Sequence, residues 1–417
     1  MIDFELSPAA KGAKNMIHMF AENAIRPIAR QYDENEHEKP WDLLKMVQGF
    51  MKGGLGGGGI TGGSPKKEKE GEDGKPKKRE ANMLTAVTVE EIFWGDAGIA
   101  LSFPGGGLGG AAVQASGTPE QKEKFLARFG GEEAVWGAMA ITEPEAGSDT
   151  ASLKTTAVLD SDEWVLNGEK IFVTSGKSAL EDSPGFVVVW ATVDKSAGRG
   201  GIKPFIVEHH APGMQITKIE DKMGIRASDT VSLSFMDCRI PKENILGSPE
   251  VMDKTKTEGF KKVMATFDAT RPMVAAMAVG VGRAALDFVK QQLAEEGVEL
   301  RYGISTNRMT SIERDIMQME SDLKAARLLN WRACWMLDNS IRNSLEASMA
   351  KAKAGLAVTR LTQKAVEIMG PLGYSRKCLL EKWMRDAKIN DIFEGTGQIQ
   401  MLIAARRILD FSRDQLK

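Results

Sequence analysis

The chain has 417 residues, with 55 Lys and Arg against 57 Asp and Glu and a formal net charge of −2. That length exceeds what one hydrophobic core usually supports, so two or three domains are expected, and near-neutrality removes any general pull toward nucleic acid or anionic membrane. Cys238, Cys334 and Cys378 show neither metal-ligand spacing nor a paired framework, which suits a reducing, cytoplasmic setting. His18, His37, His209 and His210 lack the i,i+4 spacing that puts two ligands on one helix face, so no metal site is expected. The residues Met1 to Leu6 have no basic region before an apolar core, and no run approaches the ~18 apolar residues of a membrane span.

In chain order, Ala13, Met16, Ile17, Phe20, Ala24 and Ile25 recur at helical spacing and predict an amphipathic helix over about Ser7 to Tyr32. A second helix is expected from Trp41 to Met51. Residues 53 to 79 then run through glycines into mixed Lys and Glu without the apolar residues a core needs, and read as a flexible surface insertion. Helical character returns from Met83 to Ile92 and, after the glycine-rich Pro104 to Gly110, from Thr118 to Phe129. The middle third changes period. Lys154–Val158, Glu163–Leu166, Lys170–Thr174, Phe186–Thr192, Pro204–Val207, Gln215–Ile219 and Val231–Phe235 are short, β-branched and aromatic-rich, with Asn167-Gly168 reading as a two-residue hairpin. Long helical patterns resume near Glu258, including Ile312–Leu337, Leu345–Met369, Glu381–Ile392 and Ile399–Phe411, with lengths that suit a four-helix bundle. The expectation is an α+β chain: a helical domain over 1–135, a β-domain over 136–247 and a helical bundle over 248–417.

Two glycine runs, Gly54 to Gly59 and Gly105 to Gly110, fit G-x-G-x-x-G. A dinucleotide fingerprint needs a strand before it and a helix after it in a βαβ unit, and that context is not predicted for either. The stretch around Thr142 has more chemical content: Thr142 and Ser148 supply hydroxyls, while Pro144 and Gly147 force a turn that leaves backbone donors free of sheet. By itself it reads equally as a polar loop at a sheet edge. Near the C-terminus, Gly395 and Gly397 break a helix directly after Glu394, and Thr396 is placed to cap the next one. A carboxylate on such a break can project into a cavity, or stand solvated between helices.

The two stretches together carry a resemblance. Ala138-Met139-Ala140-Ile141-Thr142-Glu143-Pro144-Glu145-Ala146-Gly147-Ser148-Asp149 and Arg385-Asp386-Ala387-Lys388-Ile389-Asn390-Asp391-Ile392-Phe393-Glu394-Gly395-Thr396-Gly397-Gln398-Ile399-Gln400 resemble the two signature stretches of acyl-CoA dehydrogenases. The resemblance implies that family's fold, FAD as cofactor and α,β-dehydrogenation of an acyl-CoA thioester. It implies that Met139, Ala140, Ile141, Thr142, Gly147 and Ser148 lie along the flavin, with Ser148 also near the thioester. Ile171-Phe172-Val173-Thr174 matches the strand that sets an aromatic against the ring system and a threonine near its reactive nitrogen, here Phe172, Val173 and Thr174. Phe267 to Pro272 resembles the helix lining the acyl tunnel, which carries Asp268 and Arg271 over as substrate contacts. Thr270 stands where two branches of the family keep their base, leaving Glu394 as the implied catalytic base. Gly395 and Arg406 are implied to touch substrate, and Arg301, Thr396 and Gln398 to touch FAD. An electron-transfer flavoprotein is the implied electron acceptor, and a homodimer or homotetramer the implied assembly.

The chain departs from the family pattern at Glu299, where an arginine is usual, at Met309-Thr310, where His-Gln is common, and at Glu367 and Pro371. Two other readings therefore stand beside the first: an oxygen-using oxidase or monooxygenase of the same fold, and a non-catalytic binding or assembly protein that kept it.

Overall fold

The computed structural model describes residues 5–52, 80–251, 258–411 and 415, with the side chains of residues 51–52 and 258–269 outside that description. The charged stretch 53–79, read above as an insertion, and the first glycine run lie outside the described residues.

The N-terminal helices follow the predicted periodicity. Ser7 caps α1 (Pro8–Phe20), its Oγ accepting from the Ala10 N–H at 3.1 Å. At Pro27, which has no N–H to give, the path loosens through a π turn (Ala21–Ile25) and a 3-10 turn (Arg26–Ile28) before α2 (Ala29–Glu34). Then come α3 (Trp41–Lys52), α4 (Ala81–Gly95) and α5 (Ala97–Leu101), the last capped by the Asp96 carboxylate at 2.9 Å from the Ile99 N–H. The glycine-rich segment opens α6 (Gly107–Ser116), a helix that the sequence reading did not predict. Its glycines permit close approach: a Cβ on Gly109 would lie 2.4 Å from the Ala138 carbonyl of the neighbouring strand. After it, α7 (Pro119–Leu126) starts on a Thr118/Gln121 capping box.

The middle domain is one sheet. β1 (Gly137–Ala140) pairs in parallel with β4 (Phe186–Thr192), and β2 (Thr156–Asp160), β3 (Glu163–Thr174), β7 (Thr230–Pro241) and β6 (Met214–Ile219) continue the order outward. β5 (Ile202–Glu208) lies antiparallel along β4, and the short α8 (Gly176–Leu180) follows β3. Alternation along β4 sends Val187 and Val189 into one core and Phe186, Val188 and Trp190 into the other.

One expectation is corrected here. Asn167-Gly168 does not turn a hairpin; it lies inside the continuous strand β3, and the β2–β3 turn falls at Ser161-Asp162, with Ser161 at φ 58°. Gly168 (φ 146°) sits at an irregularity in the β3–β7 ladder, and a Cβ there would meet Thr155 Oγ1 at 2.5 Å. The glycine serves a bulge and a close approach rather than a turn.

The C-terminal helices are α9 (Glu258–Glu295), α10 (Ser311–Asp338), α11 (Ser344–Tyr374), α12 (Leu380–Ala387) and α13 (Gly397–Leu409). Within α9, the stretch Thr270–Glu295 is long and apolar enough to cross a membrane by length and composition, but 83% of its most apolar window is buried in the protein. Its apolar residues are covered by α4, α10, α11 and α12, and its Arg283 pairs with Glu90 of α4. Ile25, Phe93, Val281, Leu323, Val358 and Leu361 share one core, so the N-terminal helices and the C-terminal bundle pack as a unit.

Helices and sheet are tied at a buried ion cluster. Lys382 of α12 donates to Asp96, ahead of α5, and to Asp386 at 2.6 Å, and Asp386 accepts the Ile225 N–H of the β-domain at 2.6 Å. All three side chains are shut from solvent. Burial alone would discharge Lys382, but Asp386 and Asp96 hold its ammonium well above the ordinary lysine range. Replacing it strands two buried carboxylates: Lys382→Met is expected to cost about 3–5 kcal/mol at pH 7 in a urea titration. A loss below about 1 kcal/mol, the level of a surface pair, would mean the cluster is not a tie-point.

Candidate functional site

Where the sheet meets the two helical layers, a cavity of about 1100 Å³ opens, above the ~300–1,000 Å³ of most small-molecule sites. Helical spacing assigns one wall: Thr270, Val274 and Met277 of α9 stand at i, i+4 and i+7. The sheet supplies another. Met139 and Ile141 face the cavity while Ala140 between them is buried in the sheet core, and Phe172 and Thr174 face it while Val173 is buried. Phe172 has φ 58° at a break in the β3–β7 register and is 61% exposed, so its ring stands on the wall rather than in the core.

The turn that follows β1 is tied down from below. Glu143 accepts from the Lys154 and Thr155 N–H groups at 2.6 and 3.0 Å and from Lys170 Nζ at 2.7 Å, and Lys170 also donates to the Ile141 carbonyl at 3.1 Å. Burial lowers Lys170 to about 8, opposed by Glu143. With Thr142 O accepting from Ile171 N–H at 2.9 Å, this leaves Thr142, Gly147 and Ser148 on the cavity wall.

Glu394 lines the same cavity. α12 gives way to a 3-10 turn (Lys388–Asp391), and the chain reverses through two left-handed residues, Glu394 at φ 56° and Gly395 at φ 86°, before Thr396 caps α13 at 3.3 Å. Gln400 Nε2 donates back to the Glu394 and Gly395 carbonyls at 3.3 and 3.2 Å. Thr270 Oγ1 donates to the Glu394 carboxylate at 3.2 Å. Burial pushes the Glu394 carboxyl above its ordinary range, against the pull of the Thr270 hydroxyl and the charges of Arg271 and Lys351.

The structure therefore brings Met139, Ile141, Thr142, Gly147, Ser148, Phe172 and Thr174 to one cavity with Arg271, Glu394, Gly395, Thr396 and Arg406. It places four expected residues elsewhere. Ala140 and Val173 have their side chains in the sheet core. Arg301 is paired with Glu313 at 2.7 Å and lies off the wall, and Gln398 is exposed and also off it. Asp268 lies on α9 with its side chain outside the described residues. Residues that the sequence reading did not assign to the site also line the cavity, among them Gly105–Gly107, Thr88, Phe103 and Arg385. The second glycine run was visible, but a backbone brought close to a neighbouring strand leaves the same pattern as a nucleotide loop.

The arrangement fits a large planar cofactor beside a thioester. It offers an exposed aromatic face, hydroxyls at Thr142, Ser148 and Thr174, and at Arg406 a buried Nε with no hydrogen-bond partner among the described residues. Comparison with known proteins agrees. Models of the acyl-CoA dehydrogenase N-terminal, middle and C-terminal domains match residues 7–133, 138–238 and 257–409. The chain is 32% identical over 409 residues to the short-chain-specific acyl-CoA dehydrogenase of Clostridium acetobutylicum, spanning 98% of this chain and 100% of that one. It is 35% identical over 398 residues to the mitochondrial short-chain-specific enzyme of Bos taurus, spanning 94% and 87%. The butyryl-CoA dehydrogenase structure from Megasphaera elsdenii matches with a TM-score of 0.81 at 32% identity, over 98% of this chain and 100% of that one.

The Thr270 hydroxyl favours the ionised form of Glu394, so removing it should raise the carboxyl's proton affinity further. Thr270→Val is expected to move the Glu394 carboxyl band in infrared difference spectra to a higher titration midpoint, with Glu394→Gln assigning the band. An unchanged or lower midpoint would remove Thr270 from the account.

Proposed function

The chain belongs to the acyl-CoA dehydrogenase family and carries out FAD-dependent dehydrogenation of acyl-CoA thioesters, and on that footing we propose that Glu394 is the base that removes the substrate's α-proton. The observation that carries this reading is the left-handed Glu394-Gly395 turn, which aims a carboxyl of raised proton affinity into the cavity beside Thr270 and Arg271. A proton α to a thioester is weakly acidic, and a base pushed above the glutamate reference of ~4.3 is better matched to it. Bound FAD supplies the acceptor for the β-hydrogen, which leaves as hydride.

The residues of this chain do the rest. Phe172 offers its ring to the flavin face, and Thr142, Ser148, Thr174 and Thr396 orient its polar edge. Ser148, Arg271, Gly395 and Arg406 hold the thioester and its CoA portion. Among the described residues no acceptor pairs with the Glu394 main-chain N–H, which is thereby available to the thioester oxygen where negative charge develops.

The same reading takes an electron-transfer flavoprotein as acceptor for the reduced enzyme and a homodimer or homotetramer as its assembly. Met401, Leu402, Ile408 and Leu409 of α13 are exposed apolar side chains, and support self-association. A cytoplasmic setting fits three cysteines that are all free.

The acyl group is apolar. Among the described wall residues from α1, α3 and α4, which include Ile17, Phe20, Val47, Val89 and Phe93, the polar ones are Thr85 and Thr88 and none is charged. A carboxylate at the far end of the acyl chain would be desolvated there without a partner.

Two measurements test these statements. Glu394→Gln should bind FAD and acyl-CoA normally yet slow flavin reduction by about 10²–10⁴-fold. Near-normal reduction would reject Glu394 as base. In anaerobic bleaching of the wild-type flavin, butyryl-CoA or octanoyl-CoA is expected to reduce it and glutaryl-CoA to fail. Reduction by glutaryl-CoA at a comparable rate would show that the acyl pocket accepts a charge.

A further inference from the structure

Behind the Glu394 turn runs α11, and its sequence puts two unlike residues on the face turned toward it. Lys351 and Gly355 are four apart and therefore stack on one side of the helix. Gly355 allows contact, since a Cβ there would lie 2.7 Å from the Asn390 carbonyl and 3.0 Å from the Asp391 Cα. One turn earlier, the Lys351 side chain spans the gap and donates from Nζ to the Gly395 carbonyl at 2.6 Å. It is 1% exposed, an uncommon place for a lysine.

We propose that Lys351 is a positioning residue for the dehydrogenation: its buried ammonium clamps the Gly395 carbonyl and so fixes the left-handed Glu394-Gly395 turn that presents the base. The clamp also places a positive charge behind the carboxylate, and in this respect the inference rests on Glu394 being the base.

Both effects follow from what surrounds the side chain. A non-glycine residue in the left-handed region is held there by its neighbours, and the Glu394-Gly395 turn is held at its carbonyls by Lys351 and Gln400. Gln400 reaches both at 3.2–3.3 Å, whereas Lys351 makes the shorter, charge-assisted bond. The charged groups that bear on Lys351 are Asp391 and Glu394 on the turn side and Arg271 from α9. Burial lowers Lys351 to about 8, with Asp391 and Glu394 opposing and Arg271 assisting, so it stays mostly protonated at neutral pH. Arg271 is itself directed to α11, donating to Ser348 Oγ at 3.4 Å. Two cations thus flank the base from two helices, and losing either charge favours the protonated carboxyl.

The test uses the FAD-loaded protein and flavin reduction by butyryl-CoA or octanoyl-CoA, whichever bleaches the wild type faster, followed from pH 6 to 9. Lys351→Met removes both the donor and the charge. With FAD content and circular dichroism unchanged, it should slow reduction on the order of 10- to 100-fold, the effect of misplacing a reacting group by about 1 Å. It should also shift the acidic limb of the rate profile to higher pH, because the carboxyl must now ionise without the nearby cation. Lys351→Arg, which keeps the charge, should return that limb toward the wild-type position. If Lys351→Met does not fold, Lys351→Gln keeps a donor without the charge and should still move the limb. Rates within twofold of wild type, or an acidic limb that no variant moves, would reduce Lys351 to a packing residue. If Glu394→Gln is inactive while the Lys351 variants behave as wild type, this inference alone falls. If Glu394→Gln stays active, the assignment of the base falls first.

Discussion

The structure depends on burying a lysine between two aspartates. Lys382, Asp96 and Asp386 come from opposite ends of the chain, and the Ile225 N–H of the β-domain completes the set. Taking such charges out of water costs several kcal/mol each, repaid only when every partner is in place. The cluster therefore tolerates little displacement of the sheet against the helices. Beside it, a Cβ on Gly224 would lie 2.6 Å from the Arg385 backbone, and Arg385 pairs with Asp33 at 2.6 Å. The cavity opens at this same junction, so the contacts that hold sheet and helices in register also set the distance between its walls.

Those walls are built differently because they do different work. The sheet wall comes from the ends of β1 and β3, where the break at Phe172 puts Ile171, Phe172 and Thr174 on the cavity while Ala140 and Val173 stay in the core. The wall at Glu394 is the break between α12 and α13. A left-handed glutamate costs roughly 1–2 kcal/mol relative to helical backbone. Lys351 holds the Gly395 carbonyl of that turn with a charge-assisted bond, set against the cost of burying its ammonium. The strain is useful, since it turns the Glu394 carboxyl toward Thr270 on the cavity wall.

Competition between desolvation and charge sets the base's proton affinity. Burial raises it, and the Thr270 hydroxyl, Arg271 and Lys351 lower it, with the net result above the ordinary glutamate range. Each pH unit of such a shift corresponds to about 1.4 kcal/mol between the two protonation states. A site with burial alone would hold the carboxyl neutral and useless as a base. One with the cations alone would leave it too weak for an α-proton. The balance needs groups from α9, α11 and the turn before α13 at once.

Much of the chemistry was legible in the residues. Glu394 before Gly395-Thr396-Gly397, and Thr142 to Ser148 with its hydroxyls and forced turn, stand out because special backbone needs special residues, and local composition records that need. Helices of regular period were legible for the same reason, down to the Thr396 cap. What the sequence by itself did not determine was any feature set by close approach. Gly168 marks a bulge and Gly109 a helix seated on a strand, yet both are only glycines until the neighbouring carbonyl or hydroxyl is known. Lys351 is the sharpest instance: on α11 it reads as one more solvated lysine among Lys351, Lys353 and Lys364. Only tertiary packing decides that it crosses to Gly395, because the partner lies 44 residues away and the reach depends on how closely Gly355 lets two segments meet.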